Sequence, residues 1–377
     1  MRILVLGAPY SRWVKEYVEQ VLLPLGHDVT VYYGQGDDDS FYTYYKQAGV
    51  TCLCPRPVHP LMMKIPKVRG LFILRSKLKA LQSQTVYDVI INLFVNNWNL
   101  WFSRRIAGEH TKIVAYFLGS DILRCEGKKL ERLKKRLRVV SRVRFSSEKI
   151  KNGYQKKISH AVLPDEDVIH LGASVFKAID ELDMDHSEAK KALHLSPDRI
   201  CLCIGYNAGK AQQHLEVLHQ LERLSAERKA GIELLFPMTY AKDPAYMSRV
   251  RSAAEKTGMS FRILEDFMDD RQMAVMCRAI DVLIHAQTTD AFSSTLRECM
   301  YAGGYVLNAK WLDYPEYHRW QLDYNSFDEF DDLPDAIEAV CAKLPVFSAK
   351  KNRDILSGAD SWEATKTAWD ELLREIG

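Results

Sequence analysis

Residues 281–310 read DVLIHAQTTDAFSSTLRECMYAGGYVLNAK. An apolar run of strand length comes first, then a polar loop, then a stretch with helical spacing, then Gly303 and Gly304, then a second apolar run. Parallel strands need a crossover of a dozen or more residues, and a helix is the usual one. The stretch therefore predicts a βαβ unit and, with it, a parallel sheet.

The same alternation extends outward. Upstream lie ICLCIGYN, IELLFPM and FRILEDF, with helix-like segments between them. The first half repeats the pattern with RILVLGAP, HDVTVYY, YDVIINLF, TKIVAYFLG, SRVRFSS and DVIHLG. A chain of 377 residues has room for two cores. The predicted class is α/β, with two tandem doubly wound Rossmann-like domains. The expected division is residues 1–180, a charged linker at 181–198 with Pro197 as a breaker, a second domain at 199–360, and a closing helix at 361–377.

Composition narrows the class. No apolar run approaches the length needed to span a bilayer. The N-terminal run is short and leads into a helix-like stretch, unlike a secretory signal. The eight cysteines form two C-x-C pairs but no C-x-x-C pair, so they read as reduced thiols in a cytoplasmic protein rather than a zinc or disulfide framework. Charge is uneven. Residues 1–180 hold 29 Lys and Arg against 16 Asp and Glu, and the remainder holds 23 against 33. A basic first half and an acidic second half face different partners.

Asp290 follows the strand DVLIHAQ, and Ser293, Ser294, Thr295 and Leu296 open the next helix. The unbonded amides of such a first turn suit a diphosphate. Glu298, about one turn in, either accepts hydrogen bonds from a ribose or closes a capping box with Thr295. Asp290 is either a site acid or a solvated loop acid.

This stretch resembles the GT-B glycosyltransferases, above all the retaining family four. Their signature is an acid, seven residues and a Glu, in a context such as E-G-F-G-x-x-x-x-E-A-M-A-x-G. Here it reads D-A-F-S-S-T-L-R-E-C-M-Y-A-G, with Asp in place of the first Glu and serines in place of a glycine and its neighbour. The resemblance implies two domains facing a central cleft. It also implies that Asp290 approaches the donor sugar, that the helix amides hold the diphosphate and that Glu298 binds the ribose. It implies no metal and retention of configuration.

The loop IGYNAGKAQQH and the run FPMTYAKDPAYMSRVR are locally similar to the transferases of TDP-N-acetylfucosamine. Gly205, Asn207 and Lys210 in that loop are donor-binding candidates. Lys210 either neutralises the diphosphate or is a solvated lysine, and Arg262 either faces the donor or is a surface arginine. In the first domain Gly119, Ser120 and Asp121 resemble a turn that meets the transferred sugar and acceptor, with Asp121 as a catalytic candidate or a helix cap. Gly7 and Ala8 resemble a phosphate or acceptor loop, or form a tight turn.

No acid stands between Asp39 and Asp88, whereas Lys64, Lys67, Arg69, Arg75, Lys77 and Lys79 fall there among apolar residues. The segment reads as a basic amphipathic element on an anionic membrane, or as a solvated helix covering a core. Nucleic acid is disfavoured, since no recognition module is present.

The expected function is a hexosyl-transferring glycosyltransferase, peripheral on the inner face of the membrane. It would use a nucleotide-sugar donor and a lipid-linked or oligosaccharide acceptor in polysaccharide biosynthesis, without cofactor. The alternatives are a nucleotide-sugar epimerase and a non-catalytic GT-B-like protein.

Overall fold

The computed structural model describes residues 1–33, 40–55, 69–82, 86–158 and 166–377. The chain forms two compact units, Met1–Gly172 with Trp362–Gly377, and Ala173–Ser361.

The first unit carries seven strands: β1 (Arg2–Leu6), β2 (Asp28–Tyr32), β3 (Thr51–Leu53), β4 (Val89–Leu93), β5 (Lys112–Phe117), β6 (Arg142–Phe145) and β7 (Glu166–Val168). They pair in the order β3-β2-β1-β4-β5-β6-β7, every pair parallel. The second unit carries β8 (Ile200–Ile204), β9 (Ile232–Pro237), β10 (Ser260–Leu264), β11 (Val282–His285), β12 (Tyr305–Ala309) and β13 (Asn325–Phe327). Their order is β10-β9-β8-β11-β12-β13, again parallel throughout. Strands flanked on both faces read as continuous apolar runs, and β4, β9 and β12 are buried along their whole length. Strand order reverses beside β1 and β4 in one unit and beside β8 and β11 in the other. At such a switch point the loops leaving the two strands part to opposite faces and open a crevice at the carboxyl edge.

Two boundaries differ from the sequence reading. Residues 173–198 belong to the second unit. Phe176 stacks on Tyr301 with ring centres 3.9 Å apart. Within the expected linker, the helix His186–Ala192 buries Ala189 and anchors Lys190, only 3% exposed, on Asp281 at 2.6 Å. A charged run looks like a solvated tether until one of its lysines finds a buried carboxylate. The closing helix, Trp362–Ile376, returns to the first unit, where Trp369 packs against Tyr17 and Tyr116 at 4.8 and 5.5 Å.

All eight cysteines are free, and six of them are buried. Among the described residues no helix is long and apolar enough to cross a membrane. Lys64 and Lys67 lie outside the described residues. Arg69, Arg75, Lys77 and Lys79 lie on the helix Arg69–Gln82, which buries Leu81 and packs Leu74 and Leu78 on the core beneath β1 and β4.

Candidate functional site at the second switch point

The loop after β8 turns at Gly205, whose φ of +64° favours glycine. A Cβ there would meet Gln212 Oε1 at 2.8 Å and His214 Nε2 at 3.1 Å. The loop then folds back on itself, with Asn207 Oδ1 accepting from the Gly209 amide at 2.7 Å. It is tied to the loop after β11 at three places. Gln212 Nε2 donates to Gln287 Oε1 at 2.5 Å, Gln213 Nε2 to the Ala286 carbonyl at 2.6 Å, and the Thr288 amide to the Ala211 carbonyl at 2.8 Å. The predicted donor loop and the loop bearing Asp290 therefore form one cross-linked surface.

Asp290 is held from both sides. Tyr206 donates its hydroxyl to Oδ1 at 3.2 Å and Tyr314, beyond β12, donates to Oδ2 at 2.7 Å. Buried His285, the last residue of β11, contacts the Tyr314 hydroxyl at 3.0 Å through Nε2. Burial, reinforced by the Asp290 charge, pushes both phenols well above their usual range, so they remain donors at neutral pH. Neither tyrosine stood out in the sequence, where each reads as an ordinary core aromatic. The only signal available was their position just past a strand.

The helix Ser294–Ala302 starts at Ser293, whose side chain caps nothing, and ends at Gly303 with φ +113°. Thr295 is the second helical residue, so it is not the N-cap and the capping box with Glu298 does not form. Glu298 sits on the fifth helical position and is 5% exposed. The first-turn amides, with no side-chain cap and no acid among them, leave a positive helix end at the carboxyl edge.

Arg297 fixes how the chain enters this helix. Its Nε donates to the Ser293 carbonyl at 3.2 Å, its guanidinium lies 4.1 Å from the centre of the Phe292 ring, and it pairs with buried Asp360. Burial drives the Asp360 carboxyl up to about 7 against the pull of that guanidinium.

Lys210 is exposed at the same edge and pairs with Asp243 at 2.8 Å. Asp243 caps the helix Pro244–Thr257 through the Ala245 and Tyr246 amides, and the bond from Lys210 comes first among the causes that hold its carboxyl below the usual range. Arg262 is exposed on the edge strand β10, in register with Leu235. A shallow depression of about 550 Å³ on this unit is lined by Trp311, Asp328, Glu329 and Asp331. It reaches Gln213 and Thr288 of the two loops, and Lys310 and Arg223 pair with Asp328 and Asp331 at its acidic side.

In the first unit, Asp121 is 4% exposed and its oxygens accept from the Val95, Leu118 and Gly119 amides at 2.9, 3.1 and 2.8 Å. Burial raises its carboxyl and the backbone bonds oppose the rise. It ties the loop after β4 to the loop after β5, with Gly119 at φ +137° and Ser120 exposed. Gly7 follows β1 at close quarters, since a Cβ would meet the Leu93 carbonyl at 2.9 Å, and the Ala8 carbonyl accepts from the Ser11 amide.

No family model matches the sequence, and no curated protein matches it. Solved structures do. The chain is similar to sucrose-phosphate synthase from Thermosynechococcus elongatus, at 14% identity and a TM-score of 0.74, over 100% of this chain and 99% of that one. It is similar to a glycosyltransferase from Rickettsia africae, at 14% identity and a TM-score of 0.75, over 100% and 98%. It is also similar to HepE from Anabaena, solved with UDP and glucose, at 16% identity and a TM-score of 0.70, over 100% of both chains. The fold is GT-B. The GT-B likeness runs through both units and is one of architecture. The predicted fold class stands, and the site rests on the geometry above.

Proposed function

We propose that the protein is a glycosyltransferase that moves a hexosyl group from a nucleoside-diphosphate donor to a hydroxyl of a lipid-linked glycan, at the inner face of a membrane, in polysaccharide synthesis. One observation carries the donor half of this reading. A helix with no side-chain cap starts at a switch point, and a buried carboxylate, Glu298, stands one turn inside it. Amides at such an end recognise phosphate, and a carboxylate next to them is suited to paired ribose hydroxyls rather than to phosphate itself. Similar structures of HepE hold UDP and UDP-glucose, which supports the same ligand class here.

In this reading the amides of Ser294, Thr295 and Leu296 stabilise the departing diphosphate, and Lys210 exchanges Asp243 for it. Gly205 and Asn207 shape the facing loop. Glu298 holds the ribose, while Asp290, positioned by Tyr206 and Tyr314, meets the sugar. Catalysis is then largely charge stabilisation and orientation at a prearranged site. No metal is required, because helix amides and a cation neutralise the leaving group. Retention of configuration follows the resemblance to family four. Asp121 is left out of the chemistry, since backbone amides engage it on every side.

Calorimetric titration with UDP, GDP and dTDP tests the donor site. One diphosphate is expected to bind, and Glu298→Gln is expected to weaken it about tenfold to a hundredfold, the cost of one charged hydrogen-bonding group. A folded protein that binds none of the three defeats the proposal.

A further inference from the structure

The donor site leaves a partly open cavity of the first unit unused. Its volume is about 470 Å³, and it is reached by Leu6 at the end of β1 and Tyr32 at the end of β2. Ile73 and Leu74 of the helix Arg69–Gln82 and Phe102 of the helix Asn97–Ile106 complete much of its wall. Lys77 lines it too, its ammonium 5.9 Å from the centre of the Tyr32 ring. No acid pairs with Lys77 among the described residues. Among the described residues the Tyr32 hydroxyl is buried with no hydrogen-bond partner, and a polar group left in that state costs stability.

The surroundings narrow the ligand. Leu71, on the same helix, is 64% exposed, and Trp98, which lines the cavity, is 57% exposed. Arg69, Arg75 and Lys79 project into solvent from that helix, which carries no acid. A free sugar or nucleotide would use Asn96, Asn99 and Trp98 of the lining but would leave Leu6, Ile73, Leu74 and Phe102 uncovered. A neutral hydrocarbon gains nothing from four cations. An amphiphile with an anionic head uses both, and exposed Leu and Trp beside basic residues are the pattern that settles at a lipid headgroup boundary.

We propose that this cavity takes the hydrocarbon chain of a lipid phosphate, with the head at Lys77. The inference deepens the lipid-linked acceptor of the proposed function and rests on that reading for the word acceptor. The binding itself is tested without it.

The test is calorimetric titration of the full chain with hexyl, octyl and decyl phosphate below their micelle concentrations, against inorganic phosphate and decanol. Each added methylene is expected to tighten binding roughly threefold to fourfold. Lys77→Gln is expected to weaken decyl phosphate about fivefold, the value of one charge near such a head, and to leave decanol unchanged. Leu74→Trp, which narrows the cavity beside Lys77, is expected to weaken decyl phosphate and flatten the chain-length dependence. The inference is overturned if the three alkyl phosphates bind equally, if Leu74→Trp binds decyl phosphate like the parent, or if the folded parent binds none of them. The two readings fail separately. Loss of the nucleoside diphosphate alone sinks the donor site and leaves the cavity. Loss of decyl phosphate alone sinks the cavity and leaves the donor site.

Discussion

Asp290 illustrates how much a single carboxylate depends on its neighbours. Held by two phenols that stay protonated, it keeps a fixed orientation with no cation paired to it among the described residues. Removing the nearer donor, by Tyr314→Phe, leaves Oδ2 without that bond and lets the group turn. If Asp290 meets the sugar, this variant binds the nucleoside diphosphate as the parent does and the complete nucleotide sugar about tenfold more weakly, the net worth of one charged hydrogen bond. Paired titrations with the diphosphate and its sugar conjugates decide it, and equal losses on both ligands refute the assignment.

His214 makes a second prediction at this scale. It is fully buried, its Nδ1 contacts the Tyr246 hydroxyl at 3.2 Å, and its Nε2 has no partner among the described residues. Burial pushes its pKa down to about 4. The unfolded chain therefore binds a proton at about pH 6.5 that the folded chain refuses. His214 contributes stability above that pH and loses it as the pH falls from about 6.5 towards 4. Melting curves of His214→Phe across this window are expected to lose less stability on acidification than the parent. Parallel curves would show that the imidazole charges without unfolding the site.

At the scale of elements, the helix Ser294–Ala302 depends on a buried ion pair. Arg297 and Asp360 are 4% and 0% exposed in their side chains. Burial of this kind makes a pair costly to break and cheap to replace. Arg297→Met leaves Asp360 unpaired in the core, where burial favours the neutral acid, and is expected to cost about 1–3 kcal/mol, read as a lower urea midpoint. Adding Asp360→Leu to that variant is expected to restore most of the loss. No recovery in the double variant would mean that Arg297 acts through Phe292 and the Ser293 carbonyl instead.

The sequence carried the elements well and their ties poorly. Apolar runs exposed both sheets except at the edge strands β3 and β13, which are three residues each and too short to make such a run. The linker was misread because the burial of Lys190 depends on Asp281, about ninety residues away, and no local pattern encodes that pairing. The donor loops were legible for the same reason as the sheets, since they follow strand ends directly. Tyr206 and Tyr314 were not, because a phenol donating to a carboxylate has the same spacing as one filling a core. Thr295 and Glu298 show the reverse case. Their spacing suggested a capping box, and only the start of the helix at Ser293 excludes it.

For the whole molecule, the uneven charge makes the last prediction. The excess of cations in the first 180 residues, set against the excess of acids in the rest, favours approach to an anionic surface by one end of the chain. Arg69, Arg75 and Lys79 stand exposed on one helix, each worth about 1 kcal/mol near a negatively charged leaflet. Changing all three to Gln is therefore expected to weaken sedimentation with phosphatidylserine vesicles roughly a hundredfold and to leave nucleoside-diphosphate binding unchanged. Salt acts on the same term, because the screening length falls from about 10 Å at 0.1 M to about 3 Å at 1 M. The parent protein should leave the vesicles over that range and should ignore vesicles of phosphatidylcholine alone. Binding that survives both high salt and the triple variant would assign the helix to covering its own core and would move the membrane contact to exposed apolar residues such as Leu71 and Trp98.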